Sequence, residues 1–380
     1  MKYTNMEKMW QETLINQPDI VQQMVQKMLQ DALVKQFDKF MGADAYQRTE
    51  TRVGQRNGTY ERQLNTRVGM ITLKVCRDRA GKFHTDLFDS YQRTEKALVL
   101  TVIQMYIDGV ATRKVAKAMG ELCGFDVSKS QVSELVVKLD GDLEKWRSRP
   151  LIVMYAYLMV DARYEKVREN GHVISKAFVT IIGITVDGMR EIIGCFTINS
   201  ESFEEWDSCF QALLARGLRG VLYTVSDENK GLKAALQKNF QGAQWQRCQV
   251  HYMRNLIGKL TKSDQHEAMK LLRDLFAAPS KNAALERLKP LTEFLRKQKK
   301  EPVAEWLEDS IEDTLAVYSL PEVHHKKMRS TNMLERHNEE LKRRSRTVRI
   351  FPNEASCLRL LSAICLEVSE EWDSRRYLDM

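Results

Sequence analysis

Three β-rich runs joined by tight turns, followed by a helix, a strand and another helix, predict an α/β core in ribonuclease H-like order. It is a mixed sheet flanked by helices. The runs are LIVMYAYLMVDARYEKV, ISKAFVTIIGITVDG and REIIGCFTINS, then ESFEEWDSCFQALLARG, VLYTVSD and ENKGLKAALQKNF, all after Pro150. A second observation extends the architecture: residues 261–325 are charged, helical in period and without β-rich runs, so they read as an all-helical insertion. A third concerns the region before the core, where a basic β-patterned segment leads into three short helical patterns. The expected division is 1–45, an N-terminal helical segment; 46–94, the basic β-containing segment; 95–149, a helix-turn-helix-like domain; 150–260, the first part of the core; 261–325, the insertion; and 326–380, the last part of the core with the C-terminal helices.

Each element has its own signal. Residues 18–42 place Val21, Met24, Met28, Ala32 and Leu33 at helical spacing and stop at Gly42, which reads as an amphipathic helix. Between 46 and 96, eleven Lys or Arg stand against six Asp or Glu, with NG, VG and AG turn signals and an alternating run, TRVGMITLKV, that reads as a strand. Arg52, Arg56, Arg62, Arg67, Arg77 and Arg79 there are either phosphate contacts or a solvated charged face. The trio EKALVLTVIQMYIDG, ATRKVAKAMGELCG and SKSQVSELVVKL matches a helix-turn-helix, with Ser128 as N-cap of the third helix. In that motif Ser128, Lys129, Ser130 and Gln131 would face base edges in the major groove; plain helical packing is the other reading.

Composition sets outer limits. At 380 residues with 43% hydrophobic and 29% charged side chains, the chain has the make-up of a globular protein of two or three domains, and no run approaches a membrane span. MKYTNMEKMWQETL lacks the basic start and apolar stretch of a secretion signal. Seven scattered cysteines without a CxxC pair argue against a disulfide framework and fit a reducing cytoplasm. A formal net charge of +8 predicts attraction to polyanions.

The chemistry is carried by carboxylates. Asp161 closes the apolar stretch LMV where the first strand is expected to finish, and Asp227 ends a later strand after Val225 and Ser226. On neighbouring strands the two would approach closely, and like charges at that range resist ionisation unless a divalent cation lies between them. The segment STNMLERHNEELKRR supplies a third, Glu335, with Asn332 and Asn338 three residues to either side on the same helical face, placed to orient it or touch phosphate. Three carboxylates on such a core suit two Mg²⁺ or Mn²⁺ ions and in-line phosphoryl chemistry. Read singly, each acid is also an ordinary cap or solvated residue.

The blocks LMVDARYEKVRENG, VSDENKGLKAAL, WQRCQVHYMRNL and STNMLERHNEELKRRSRTVRIFPNEAS resemble, in order, the signature blocks of the Mutator-type bacterial insertion-sequence transposases. The upstream segments RNGTYERQLNTRVGMITLKVCRDR and YQRTEKALVLTVIQMYIDGVATRKVAKAM are similar to that family's amino-terminal half, so the resemblance covers roughly residues 20–365. It implies a DDE transposase in which Asp161, Asp227 and Glu335 are the three family carboxylates. The spacing agrees with a helical insertion, because 66 residues separate the first two and 108 the last two. One position departs from the pattern: the family carries histidine where this chain has Asn229. Cys248 and His251 match the family's CxxH signature, which would brace the active site or touch DNA; half a zinc site near His324 and His325, or core packing, are the other readings. Lys342, Arg343, Arg344, Arg346 and Arg349 would grip phosphates beside the scissile bond, unless they form a solvated helix end. Trp306 either stacks on an extruded base or belongs to a core.

The implied function is metal-dependent cleavage and strand transfer at the terminal inverted repeats of an insertion sequence. Its partners are double-stranded DNA, both element ends and target, and further copies of the chain in a homodimer or larger assembly. A bacterial cytoplasmic, nucleoid-associated location goes with it, and no membrane. Two rivals stand beside it: a site-specific DNA-binding regulator with an inert core, and a ribonuclease H-like nuclease that hydrolyses without joining.

Overall fold

The computed structural model describes residues 19–43, 47, 52–66, 68–85, 87, 96–123 and 128–380. The chain divides into two compact units, 1–138 and 139–380. Arg67 lies outside the described residues.

In the smaller unit, helix α1 (Asp19–Met41) packs on an antiparallel hairpin of β1 (Arg56–Thr66) and β2 (Gly69–Asp78). The helix buries Leu33, Phe37 and Met41, four residues apart, while Val21, Met24 and Met28 are exposed. The apolar stripe expected at the helix start is therefore displaced one turn and more toward its end. Leu33 meets Leu64, Ile71, Leu73 and Val75 of the hairpin. Gln30 fixes the contact by pairing both ways with the Lys74 backbone, at 2.8 and 2.9 Å. The run TRVGMITLKV is not one strand: Thr66 pairs with Gly69 across the turn, and Gly69 takes a φ of 110° that other residues resist. Three helices follow, α2 (Lys96–Ile107), α3 (Thr112–Cys123) and α4 (Lys129–Val137), burying Leu98, Val102, Val115, Met119, Val132 and Val136. Ser128 caps α4 in a reciprocal box: its hydroxyl accepts from the Gln131 amide, and its own amide donates to the Gln131 side chain.

The larger unit begins with α5 (Leu139–Arg147) and is built on a five-stranded mixed sheet. Its strands are β3 (Tyr155–Glu169), β4 (His172–Thr185), β5 (Arg190–Ile198), β6 (Tyr223–Ser226) and β7 (Gln244–Arg247), in spatial order β5-β4-β3-β6-β7. The first three run antiparallel as a meander, whereas β6 and β7 join parallel to β3 through helical crossovers. One crossover contains α6 (Phe203–Ala215), the other α7 (Lys230–Asn239).

The pleat sorts the faces. Leu158, Val160 and Ala162 of β3 pack with Trp206 and Phe210 of α6 and Leu232 and Leu236 of α7. Alternation sends Met159 and Asp161 to the other face. There α15 (Glu354–Trp372) ties in: Ser369 accepts from the Ile192 amide at 3.1 Å, and Arg359 holds Asp140 of α5 at 2.6 and 2.7 Å.

Between β7 and the return to the sheet, α8 (Gln249–Lys259), α9 (Lys262–Phe276), α10 (Lys281–Glu286), α11 (Leu288–Lys297) and α12 (Glu301–Ser310) share their own apolar core, to which Tyr252 and Leu256 of α8 belong. Two short 3₁₀ turns bring the chain back past β7, where Gln246 donates to the Thr314 carbonyl at 2.7 Å and accepts from the Val317 amide at 2.8 Å. Then come α13 (Glu322–Met328) and α14 (Asn332–Ser345). No helix among the described residues is long and apolar enough to cross a membrane.

Candidate active site

Strand β3 does not finish at Asp161. It continues to Glu169, because β4 keeps pairing with it as far as Glu169 opposite His172. What ends near Asp161 is the parallel pairing with β6, whose last partners are Met159 and Val225. Two residues beyond each partner lie Asp161 and Asp227, so the register itself sets the two aspartates side by side where β6 stops. The freed edge of β3 is taken up further on by Phe351, whose amide donates to Lys166 at 2.8 Å and whose carbonyl accepts from Arg168 at 2.9 Å.

Helix α14 crosses this face and brings the third acid. Asn338 donates to Asp161 Oδ2 at 2.8 Å, while the Asn338 carbonyl accepts from Arg163 at 2.7 Å. Glu335, one turn earlier, points at the imidazole of His251, Oε1 to Nε2 3.3 Å, and the other ring nitrogen lies 4.0 Å from Asp227 Oδ1. His251 thus lies between Glu335 and Asp227, and its charge also acts on Asp161. Arg254 closes the group, its Nη1 and Nη2 donating to the two Glu335 oxygens at 2.6 and 3.2 Å.

Electrostatics follow from this crowding. Burial lifts the Asp161 carboxyl to about 6; the His251 charge works against that, and the Asp227 and Glu335 charges add to it. Burial would lower His251, but its pairing with the Cys248 sulfur and the nearby Asp227 and Asp161 carry it up to about 9. For the Cys248 thiol, burial pushes upward and is outweighed by His251 and Thr331, leaving it below the ordinary thiol value.

Cys248 is fully buried and receives both the backbone amide and the hydroxyl of Thr331 at 3.3 Å. Thr331 is the residue from which α14 starts, and its carbonyl accepts from the Glu335 amide at 2.9 Å. The cysteine therefore fixes the origin of the helix that carries Glu335. His324 and His325 are engaged elsewhere, His324 with the Tyr157 hydroxyl and the Asp379 carbonyl, His325 with the Leu320 carbonyl. Asn229 caps α7 by accepting from the Leu232 amide at 2.9 Å and donates to Glu201 at 3.0 Å.

Of the remaining candidates, Asn332 is exposed at the start of α14. Lys342, Arg346 and Arg349 are exposed; Arg343 pairs with Glu340, and Arg344 is buried against Glu340 and Glu367. In the smaller unit Arg56 is tied to Asp38 at 2.7 Å and to the Ala43 carbonyl, Arg52 donates to Gly54 and Gln47 carbonyls, Arg62 is half-buried, and Lys129 and Gln131 are exposed. Trp306 stacks on Tyr252 with ring centroids 4.7 Å apart, inside the helical segment.

Sequence reasoning passed over Arg254 and the pair formed by Arg247 and Glu228. A signal for Arg254 existed: Cys248, His251 and Arg254 follow one another at three-residue steps, which puts them along one side of a helix.

The donor set fits a divalent cation. Three carboxylates meet, and burial with mutual repulsion raises Asp161, the arrangement a hard cation relieves. Among the described residues, however, no three of His, Cys, Asp and Glu are drawn together as tightly as a metal holds its ligands. Both oxygens of Glu335 are engaged by Arg254.

The Transposase, Mutator family model matches residues 2–375. The chain belongs to the Mutator family of transposases. It is 41% identical to the transposase for insertion sequence element ISRM5 of Rhizobium meliloti (strain 1021), over 97% of this chain and 93% of that protein. The transposase for IS256 in transposon Tn4001 of Staphylococcus aureus is 40% identical over 95% of this chain and 93% of its own length. That for IS1081 of Mycobacterium tuberculosis (strain ATCC 25618 / H37Rv) is 33% identical over 96% and 88%.

Proposed function

We propose that this chain is a metal-dependent DDE transposase that recognises the terminal inverted repeats of its insertion sequence, cleaves a strand at the element end and joins the end to target DNA. The observation that carries the reading is the convergence of Asp161, Asp227 and Glu335, from two strands and a crossing helix, around one imidazole. The strand order β5-β4-β3-β6-β7, an antiparallel meander extended by two parallel strands, supports a ribonuclease H-like core. The family, and relatives named as transposases for the insertion sequence elements ISRM5 and IS256, support the substrate.

Asp161, Asp227 and Glu335 would hold Mg²⁺ or Mn²⁺, two ions by the logic of the chemistry. When bound, they supply Lewis-acid activation of the attacking hydroxyl and stabilisation of the departing oxygen. The chain's own residues do the positioning. Asn338 holds Asp161 in one orientation, Cys248 and Thr331 fix where α14 begins, and His251 places positive charge between the acids. Water first attacks the phosphodiester at the element end and frees a 3′ hydroxyl. That hydroxyl then attacks a second phosphodiester, whose own 3′ oxygen leaves. Lys342, Arg346 and Arg349 lie beyond Glu335 on the same segment and suit phosphates flanking the cut. The three helices at 96–137 suit a helix-turn-helix that presents Lys129 to the major groove, and the hairpin arginines suit the backbone beside it. Bringing two ends together calls for a dimer or larger assembly.

The test is cleavage and joining of a labelled element-end duplex with Mg²⁺ or Mn²⁺, wild type against Asp227→Asn. Nicked and joined products that need metal and vanish in the variant are expected. End binding without cleavage would replace this reading with that of a regulator; cleavage without joining would leave a nuclease.

A further inference from the structure

Glu335 differs from the other two acids in what already occupies it. Asp161 accepts from one neutral amide and its neighbouring backbone amide, and Asp227 from the backbone of Glu228. Both Glu335 oxygens, by contrast, accept from Arg254, and Oε1 also faces His251. Guanidinium donors and a divalent cation draw on the same few carboxylate lone pairs, and Arg254 with His251 already engages most of those on Glu335, so the closed clasp competes with metal ligation by those oxygens.

The two cations on Glu335 are not alike. His251 is set back among the acids with 18% of its side chain exposed, whereas Arg254 is 59% exposed at the rim. No acceptor other than Glu335 holds its guanidinium among the described residues. An exposed ion pair of this kind is weak enough to exchange. The partner it would exchange for is indicated by shape: a phosphodiester offers a guanidinium the same forked pair of oxygens that a carboxylate does.

We propose that Arg254 is a latch. It holds Glu335 in the DNA-free protein, passes to a phosphate of the bound DNA strand, and so releases Glu335 to complete the metal site only when substrate is present. This rests on the metal-dependent reading above. It makes Arg254 a positioning residue for Glu335 and couples metal affinity to DNA binding, and by linkage the coupling runs both ways. Arginine is needed rather than lysine, because a single ammonium cannot cover both carboxylate oxygens in the forked geometry.

The experiment is a Mn²⁺ titration of the full chain, followed by the electron paramagnetic resonance of free Mn²⁺, with and without a saturating element-end duplex. Wild type, Arg254→Gln, Arg254→Lys and Asp161→Asn are compared. Without DNA, both Arg254 variants are expected to bind Mn²⁺ about fivefold more tightly than wild type, the scale set by releasing one exposed ion pair. With DNA the gap should close. Equal affinities without DNA overturn the latch; so does an Arg254→Lys variant that behaves as wild type, since general charge repulsion would then explain the glutamine result. A gap that DNA leaves unchanged also overturns it. The Asp161→Asn chain separates the two levels: if, with the duplex bound, wild type binds no Mn²⁺, or binds it no better than Asp161→Asn, the metal reading itself fails and the latch with it. Arg254 is exposed, so unaltered thermal midpoints are expected for its variants.

Discussion

Replacing Glu228 by glutamine should destabilise the larger unit by about 2 kcal/mol, more than replacing its partner Arg247 by methionine. Arg247 ends β7 with no solvent exposure, and its Nη2 meets the Glu228 carboxylate, which is 45% exposed. Its Nε and Nη1 are buried without a hydrogen-bond partner, and its guanidinium lies over Tyr252 at 4.6 Å and Trp306 at 5.5 Å. Stripping a buried charge of its counter-charge costs about 3–5 kcal/mol, and the exposure of Glu228 lets water restore roughly half, which leaves about 2 kcal/mol. Arg247→Met removes the charge together with its need for a partner. It forfeits ring contacts worth about 1–2 kcal/mol and regains much of that in desolvation, so its net effect should stay within about 1 kcal/mol. The assay is urea denaturation of the full chain followed by tryptophan fluorescence, to which Trp306 contributes beside the substituted site. The double variant should be closer to wild type than Glu228→Gln alone. If Arg247→Met costs about 3 kcal/mol while Glu228→Gln costs nothing, the guanidinium is satisfied by more than one carboxylate and the reasoning fails.

Other expectations follow from single contacts. Asn338→Leu removes the amide that orients Asp161, so strand cleavage should fall about 10- to 100-fold, the usual range for groups that orient ligands, with DNA binding intact in a mobility-shift assay. Gly188→Ala puts a Cβ 1.9 Å from the Leu378 carbonyl oxygen at a φ of +78°, where the Tyr377 and Leu378 amides both donate to Gly188. It should cost about 2 kcal/mol and speed hydrogen exchange at 377 and 378; unchanged protection there would contradict the docking of the tail. Arg343, with Arg344, holds the Glu340 carboxyl down at about 2, against 4.5 unperturbed. Because this folded-state value is depressed, its stabilisation is complete above about 4.5 and fades as pH falls through about 2. Thermal melts of wild type and Glu340→Gln should accordingly differ at pH 7 and converge toward pH 2.

The three acids were legible because each breaks a pattern: Asp161 and Asp227 interrupt apolar strand sequence, and Glu335 sits between two asparagines on one helical face. The extent of β3 was not. Its second half, ARYEKVRE, pairs with β4 on one side and with Phe351 only briefly on the other, so it carries the polar composition of an edge and reads as the strand's end. The turn inside TRVGMITLKV was hidden similarly, since its one signal is Gly69 between residues that alternate like a strand. Helix α1 was recognised by period, yet its buried side depends on where the hairpin meets it. Arg254 shows the general limit. Its spacing from His251 is visible in the chain, but that α14 returns alongside α8 is a fact of tertiary packing alone.

The helical segment leaves the sheet after Arg247 and comes back at Thr314, and Gln246, on the strand just before the exit, holds the returning chain at both Thr314 and Val317. To the sheet, the whole excursion is therefore a loop whose two feet stand on one side chain. Closing such a loop depends on its length only logarithmically, each doubling costing about 0.6 kcal/mol. The connections beyond α8, which itself carries His251 and Arg254, are thereby free to lengthen or shorten, whereas the glutamine that pins the feet is not free to change.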